Sequence, residues 1–285
     1  MLNFVKVMTG LIISTFLSAQ ALAFPLPDGR LRLEANAPSL NLDFNFEGIV
    51  SLSNCSGSLI RYETSQATDH ALILTNGHCL ESGFTAPNEM ISRQPTDRRF
   101  NILNPQGQAL GKVTATLILY STMTKTDITL YELRETYSDI LKDFNVSPLT
   151  LASTHPQKLQ TIEVISGYWK RGYSCQIEDF VHELKESDWS FTDSLRYSQP
   201  GCETIGGTSG SPIILKGTRT VIGINNTGNE SGGSCTMNNP CEIDANGKVT
   251  AHEGASYGQQ TFWIYSCLNA NNEFDLNQSK CQLPH

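Results

Sequence analysis

Three short segments carry residues whose types and setting suit hydrolytic chemistry. The first is Gly206-Gly207-Thr208-Ser209-Gly210-Ser211-Pro212, which lies between a cysteine-bearing loop and the apolar run 213–215. A serine attacks a peptide carbonyl when its hydroxyl is exposed on a tight turn, N–H groups face the developing oxyanion, and no Cβ crowds the approach. The flanking glycines meet the last condition, and the N–H groups of Gly207 and Ser209 are the natural oxyanion donors. The second segment is Leu72-Ile73-Leu74-Thr75-Asn76-Gly77-His78-Cys79, an apolar strand running into a turn that would hold His78 as a base at a strand end. The third is Thr126-Asp127-Ile128-Thr129-Leu130-Tyr131-Glu132-Leu133, in which an Asp opens a strand with core-facing alternate residues. A buried carboxylate is costly unless hydrogen-bonded, so Asp127 needs a partner. Each segment alone also reads as an ordinary turn or strand start; what singles them out is their occurrence together, in the order His78, Asp127, Ser209.

That order differs from the Ser-Asp-His order of α/β-hydrolases, whose nucleophile elbow needs Gly two residues after Ser, where this chain has Ser211. The chain resembles instead the chymotrypsin-like (S1) serine peptidases, in particular their bacterial trypsin-like and glutamyl-endopeptidase-type members. Cys55-Ser56-Gly57-Ser58-Leu59-Ile60 resembles the family's C-G-G-S-L-I strand, and Leu74-Thr75-Asn76-Gly77-His78-Cys79 its L-T-A-A-H-C. Asp127-Ile128-Thr129-Leu130 resembles D-I-A-L, and Gly207-Thr208-Ser209-Gly210-Ser211-Pro212 resembles G-D-S-G-G-P. Val221-Ile222-Gly223-Ile224 looks like the strand that lines the specificity pocket. The resemblance covers roughly residues 46–265. It implies an all-β fold of two antiparallel six-stranded β-barrels with the active site in the cleft between them. It implies Ser209 as nucleophile, His78 as general base, Asp127 as the residue orienting His78, and an oxyanion hole at Gly207 and Ser209. The activity implied is that of a serine endopeptidase working through an acyl-enzyme on protein or peptide substrates, with no metal and no organic cofactor. Its pH profile would then rise near the reference His pKa of about 6.5. A catalytically silent pseudoprotease that binds or regulates is the rival reading on the same fold, although no triad residue is missing.

The chain departs from the family in three places. Thr208 stands before the nucleophile, where trypsin-like zymogens carry the Asp that receives the new N-terminal ammonium, and no I-V-G-G sequence precedes Cys55 at the right distance. Glu203 falls by position where trypsin has its pocket-floor Asp, which would favour Lys or Arg at P1, but the neighbouring cysteine is replaced by Ile205. Asn225, Asn226, Thr227 and Gly228 look like the pocket wall, with Asn225 or Asn226 where glutamyl endopeptidases have His. The Asn-rich stretch 266–285 replaces the usual terminal helix.

Positioning these residues requires many short strands. From Phe46 onward, apolar runs at 48–52, 58–60, 71–75, 113–120, 128–133, 161–165, 211–215, 220–224 and 260–265 are rich in Val, Ile, Thr and aromatics and separated by turn residues. This spacing argues for an all-β barrel or sandwich. Residues 135–144 read as a short helix or a polar connection, and 264–276 as a terminal helix weakened by its asparagines. The expected organisation is a signal peptide at 1–23, a propeptide, spacer or extended first segment at 24–45, and a peptidase domain at 46–285. Within that domain the first barrel would span about 46–140, the second about 141–265, and a disulfide-bearing tail 266–285.

Export follows from the first residues and from the cysteines. Lys6, the apolar stretch 7–17 and Ala21-Leu22-Ala23 form a signal-peptide pattern. That stretch is shorter than the roughly 20 residues of a spanning helix, so a secreted or periplasmic, membrane-free monomer is expected. All eight cysteines (Cys55, Cys79, Cys175, Cys202, Cys235, Cys241, Cys267, Cys281) follow the signal, and no C-x-x-C pair suggests zinc. The family resemblance implies the pair Cys55–Cys79; Cys175 with Cys202 is a reasonable second, and Cys235–Cys241 and Cys267–Cys281 follow by proximity. A formal net charge of −8 without a Lys/Arg cluster argues against nucleic acid as a partner.

Overall fold

The computed structural model describes residues 24–25, 31–32 and 44–285. The expected signal segment 1–23 and most of segment 24–45 lie outside them. β1 (Phe24–Pro25) and β2 (Leu31–Arg32) pair antiparallel as a unit of their own.

The next strands alternate side chains between two faces, and both faces are buried. In β3 (Ile49–Ser51), β4 (Ser56–Arg61) and β5 (His70–Thr75), Val50, Leu59, Ala71 and Ile73 enter one apolar cluster. Their neighbours Ile49, Ile60, Leu72 and Leu74 enter another. Strands buried on both faces read as continuous apolar runs rather than as alternating ones, which is why 71–75 is so uniform. With β7 (Arg99–Leu103), β8 (Ala109–Thr122) and β9 (Ile128–Thr136), the antiparallel order is β4-β3-β7-β8-β9-β5, and β4 pairs back onto β5. That pairing closes a six-stranded barrel. β6 (Met90–Pro95) adds outside it on β8.

The connection at 135–144 is a helix, α1 (Tyr137–Phe144), opened by a capping box between Thr136 and Asp139. β10 (Leu149–Leu151) then pairs parallel with both β4 and β15 (Thr220–Gly228), joining the barrels. The second barrel comprises β11 (Thr161–Ser166), β12 (Arg171–Glu186), β13 (Trp189–Tyr197), β14 (Pro212–Leu215), β15 and β18 (Ser256–Gln260). Its order is β14-β11-β12-β13-β18-β15, closed by β14–β15. β16 (Cys241–Ile243) and β17 (Val249–Thr250) extend β12 outward. The all-β fold with two six-stranded antiparallel barrels is thus present.

Two expectations near the chain's end are corrected. The strand expected at 260–265 ends at Gln260, and Phe262–Cys267 forms a 3₁₀ turn. No helix spans 264–276, because asparagine and aspartate side chains capture the backbone donors a helix would use. Asn269 Oδ1 accepts from the N–H groups of Asn271 and Glu273, and Asp275 Oδ1 from that of Asn277. The tail packs instead against the first barrel, with Phe274 and Leu283 in the cluster that holds Leu72, Tyr120 and Leu130. The Tyr120 hydroxyl donates to the Pro284 carbonyl at 2.7 Å. All four expected disulfides are formed: Cys55–Cys79, Cys175–Cys202, Cys235–Cys241 and Cys267–Cys281.

Candidate active site

β5 delivers His78 on a 3₁₀ turn, Gly77–Cys79, tied to the start of β4 by Cys55–Cys79. Glycine at 77 is a steric requirement, since a Cβ there would lie 2.2 Å from the Thr122 carbonyl oxygen and 2.9 Å from Asp127 Oδ1. The turn is fixed to β9 by Asn76 Nδ2, which donates to the Asp127 carbonyl (2.7 Å), and by Thr129 Oγ1, which donates to the Asn76 carbonyl (3.0 Å). Asp127, only 1% exposed, finds the partner its burial demands. Its Oδ1 accepts from the His78 backbone N–H at 3.0 Å and its Oδ2 from His78 Nδ1 at 2.6 Å. Both carboxylate oxygens therefore hold one residue, which fixes the ring's orientation and leaves Nε2 as the proton acceptor.

Burial alone would depress the His78 pKa. The charge and hydrogen bond of Asp127, with the Glu186 carboxylate behind them, outweigh burial and hold it above the usual 6.5. Among the described residues, Cys55, His78 and Cys79 are close enough to suggest a metal cluster, but the two sulfurs are bonded to each other and are not thiolate ligands.

Ser209 comes from the second barrel, on the loop leading into β14. The turn is built from Thr208 N–H on the Ile205 carbonyl, Ser211 N–H on the Thr208 carbonyl, and reciprocal bonds that join Gly210 and Ser211 to Asn225. Gly210 has φ +81°, and a Cβ on it would lie 2.1 Å from the Ser56 carbonyl oxygen, so no other residue fits. The Ser56 N–H donates to the Ser209 carbonyl at 2.8 Å, docking the loop on the first barrel. The Ser209 hydroxyl donates to the Asn226 carbonyl at 3.2 Å rather than to the imidazole.

The N–H groups of Gly207 and Ser209 donate to no described protein group. Trp169, which the sequence reading missed, controls the first of them. Its Nε1–H donates to the Gly206 carbonyl at 2.7 Å. In a planar trans peptide the C=O and the following N–H point opposite ways, so clamping the Gly206 carbonyl turns the Gly207 N–H to the other side of the loop. Ser56 Oγ adds a donation to the Gly207 carbonyl (3.3 Å), accepts from Tyr168 N–H (3.1 Å) and bonds Ser166 Oγ (3.0 Å), which accepts from Trp169 N–H (3.2 Å). The Thr208 hydroxyl is fully buried and has no hydrogen-bond partner.

The expected pocket residues separate. Asn226 is buried beside Ser209, and Gly228 ends β15 against Ala255 and Ser256. Asn225 turns its Oδ1 to the Tyr197 hydroxyl at 3.1 Å. Glu203 does not join them. It is exposed, and both its carboxylate oxygens accept from the Gly201 N–H at 3.1 Å, so it forms no buried pocket floor. Its place by residue count says nothing of the direction of its loop, which turns at Gly201 with φ +137°.

Two closed six-stranded barrels, with a His–Asp pair on the first and a glycine-flanked serine on the second, define the chymotrypsin-like serine peptidase class. The chain matches the trypsin-like peptidase domain over residues 55–224, and it belongs to that family. Among solved structures it is similar to the MamO protease domain of Magnetospirillum magneticum, at 12% identity and TM-score 0.49 over 80% of this chain and 98% of that one. It is also similar to the thermostable serine protease AL20 of an extremophilic microorganism, at 15% identity and TM-score 0.43 over 77% and 92%. A third is the Nocardiopsis protease, at 12% identity and TM-score 0.40 over 75% and 90%. No curated protein sequence matches the chain. Among the described residues, no helix is long and apolar enough to cross a membrane.

Proposed function

We propose that the protein is an exported serine endopeptidase acting through a Ser209–His78–Asp127 triad. The observation that carries this reading is the two-point hold of Asp127 on His78, through ring and backbone, together with a serine on a glycine-flanked turn that the Ser56 N–H docks on the first barrel. His78 Nε2 takes the Ser209 proton as Oγ attacks the scissile carbonyl. Asp127 stabilises the imidazolium, and the Gly207 and Ser209 N–H groups hold the oxyanion. The imidazolium gives its proton to the leaving amine, leaving an acyl-enzyme, and His78 then activates water to release the acid. An intact triad weighs against the pseudoprotease reading. A basic P1 preference draws no support from the exposed Glu203, and Asn226 and Gly228 bring no charge to the pocket wall. Four disulfides suit a secreted or periplasmic, monomeric protein released from a signal segment at 1–23.

A fluorophosphonate probe should label the oxidised wild-type protein and leave Ser209→Ala unlabelled. Equal labelling of the two proteins would remove Ser209 from the reaction.

A further inference from the structure

Glu186, at the end of β12, is a buried carboxylate that makes no hydrogen bond to His78, Asp127 or Ser209. It is 8% exposed. Its Oε1 accepts from the Asn238 N–H at 2.7 Å, and the Thr227 side chain lies near the same carboxylate. Among the described residues, no Lys, Arg or His forms an ion pair with it. A buried charge is normally paired with a counter-charge, and this one lacks a cation from its own chain. Burial accordingly raises its pKa, against the opposing pull of Thr227, Asn238 and His78, while Asp127 adds to the rise.

Its setting faces the site. Thr227 follows Asn226, whose carbonyl accepts from the Ser209 hydroxyl. Glu186 lies directly opposite Trp189 across the β12–β13 hairpin, so the two side chains share a face. Trp189 Nε1 donates to the Thr85 carbonyl at 3.0 Å, and its ring meets Phe84 edge-on at 5.5 Å. Phe84, 39% exposed, meets the His78 ring at 5.8 Å. An aromatic wall thus runs from the imidazole to the hairpin that carries the carboxylate. The hairpin tip is held by the Cys235–Cys241 loop, through Ser187 N–H on the Cys235 carbonyl (3.0 Å), and by β16 paired along β12. A rigid aromatic wall beside an unpaired carboxylate suits a cationic side chain, which gains from both the rings and the charge.

Resting on the peptidase reading above, we infer that Glu186 is the charged end of a substrate subsite next to P1 on the acyl side, and that this subsite takes Lys or Arg. The acyl side follows from Thr227, which continues the Asn226–Gly228 wall of the P1 pocket.

The test uses peptides that differ only at P2, with Lys, Arg or the uncharged isostere norleucine. Binding is measured on the Ser209→Ala protein, and kcat/KM on wild type. Wild-type kcat/KM and Ser209→Ala affinity should both favour Lys over norleucine by roughly 10- to 100-fold. Adding Glu186→Gln should bring either ratio to within about threefold of unity. No preference for the cation in the unaltered protein overturns the inference without need of a Glu186 variant, and so does a preference that survives Glu186→Gln. Loss of probe labelling with the binding preference intact would instead count against the peptidase reading alone.

Discussion

Replacing Trp169 with Phe keeps a ring against Gly207 but removes the indole N–H on the Gly206 carbonyl. The peptide between Gly206 and Gly207 can then rotate, and each rotation takes the Gly207 N–H away from the oxyanion position. A neutral hydrogen bond of this kind contributes about 0.5–1.5 kcal/mol net. Since every 1.4 kcal/mol or so is tenfold, the competent peptide orientation should lose roughly two- to thirteen-fold in population. Outright deletion of an oxyanion donor costs about 10²–10³ in kcat, which sets the ceiling. The oxyanion exists only in the transition state, so the loss should fall on kcat and kcat/KM alike, with KM steady. Steady-state kinetics on a peptide ester or amide measures this, with a thermal melt of the same sample as the control for folding. An unchanged kcat, or a loss confined to KM, would refute the clamp.

Two further outcomes follow from the site. Because Asp127 and Glu186 lift His78 above 6.5, and only neutral imidazole can take the serine proton, kcat/KM should rise with pH through a midpoint above 6.5. In Asp127→Asn the depressing effect of burial is left in charge, so the remaining activity should rise at lower pH; a profile flat from about pH 5 to about 8 would exclude a histidine base. Changing Cys55 and Cys79 together to Ser opens a loop of sequence separation 24, which should cost about 3–4 kcal/mol of stability by chain entropy. Denaturant melts and probe labelling read this effect, and equal stability with equal labelling would contradict the disulfide's role in holding the His78 turn.

Much of the fold could be read from residue order because the barrel strands bury both faces. The run around Ile73 and the strand after Asp127 carried their own signal, and so did the glycines that admit close backbone approach at Gly77 and Gly210. The long β12–β13 hairpin was not legible, since its half-exposed residues mix charged, aromatic and small types. Glu186 and Trp169 depend on it and on its neighbours. One gains its setting from a register that brings Trp189 and Thr227 beside it, the other from a loop that crosses under Gly206, and no spacing along the chain encodes either. Glu203 failed for the reverse reason: its position by count was right for a pocket floor, but the local bond to Gly201 decided its direction. In the tail, Asn269 and Asp275 side chains prevailed over helix periodicity.

The tail also bears on the order in which the molecule can be made. Phe274 and Leu283 join a cluster whose other members run from Phe46 to Cys267, and those of the first barrel, such as Leu72, Tyr120 and Leu130, leave the ribosome far earlier. Domains usually fold as they emerge, but Leu72 and Tyr120 gain this part of their packing only once residues beyond 270 arrive. A chain cut after Gln260 would contain His78, Asp127 and Ser209 and still lack the Phe274 and Leu283 packing on the half that carries His78 and Asp127.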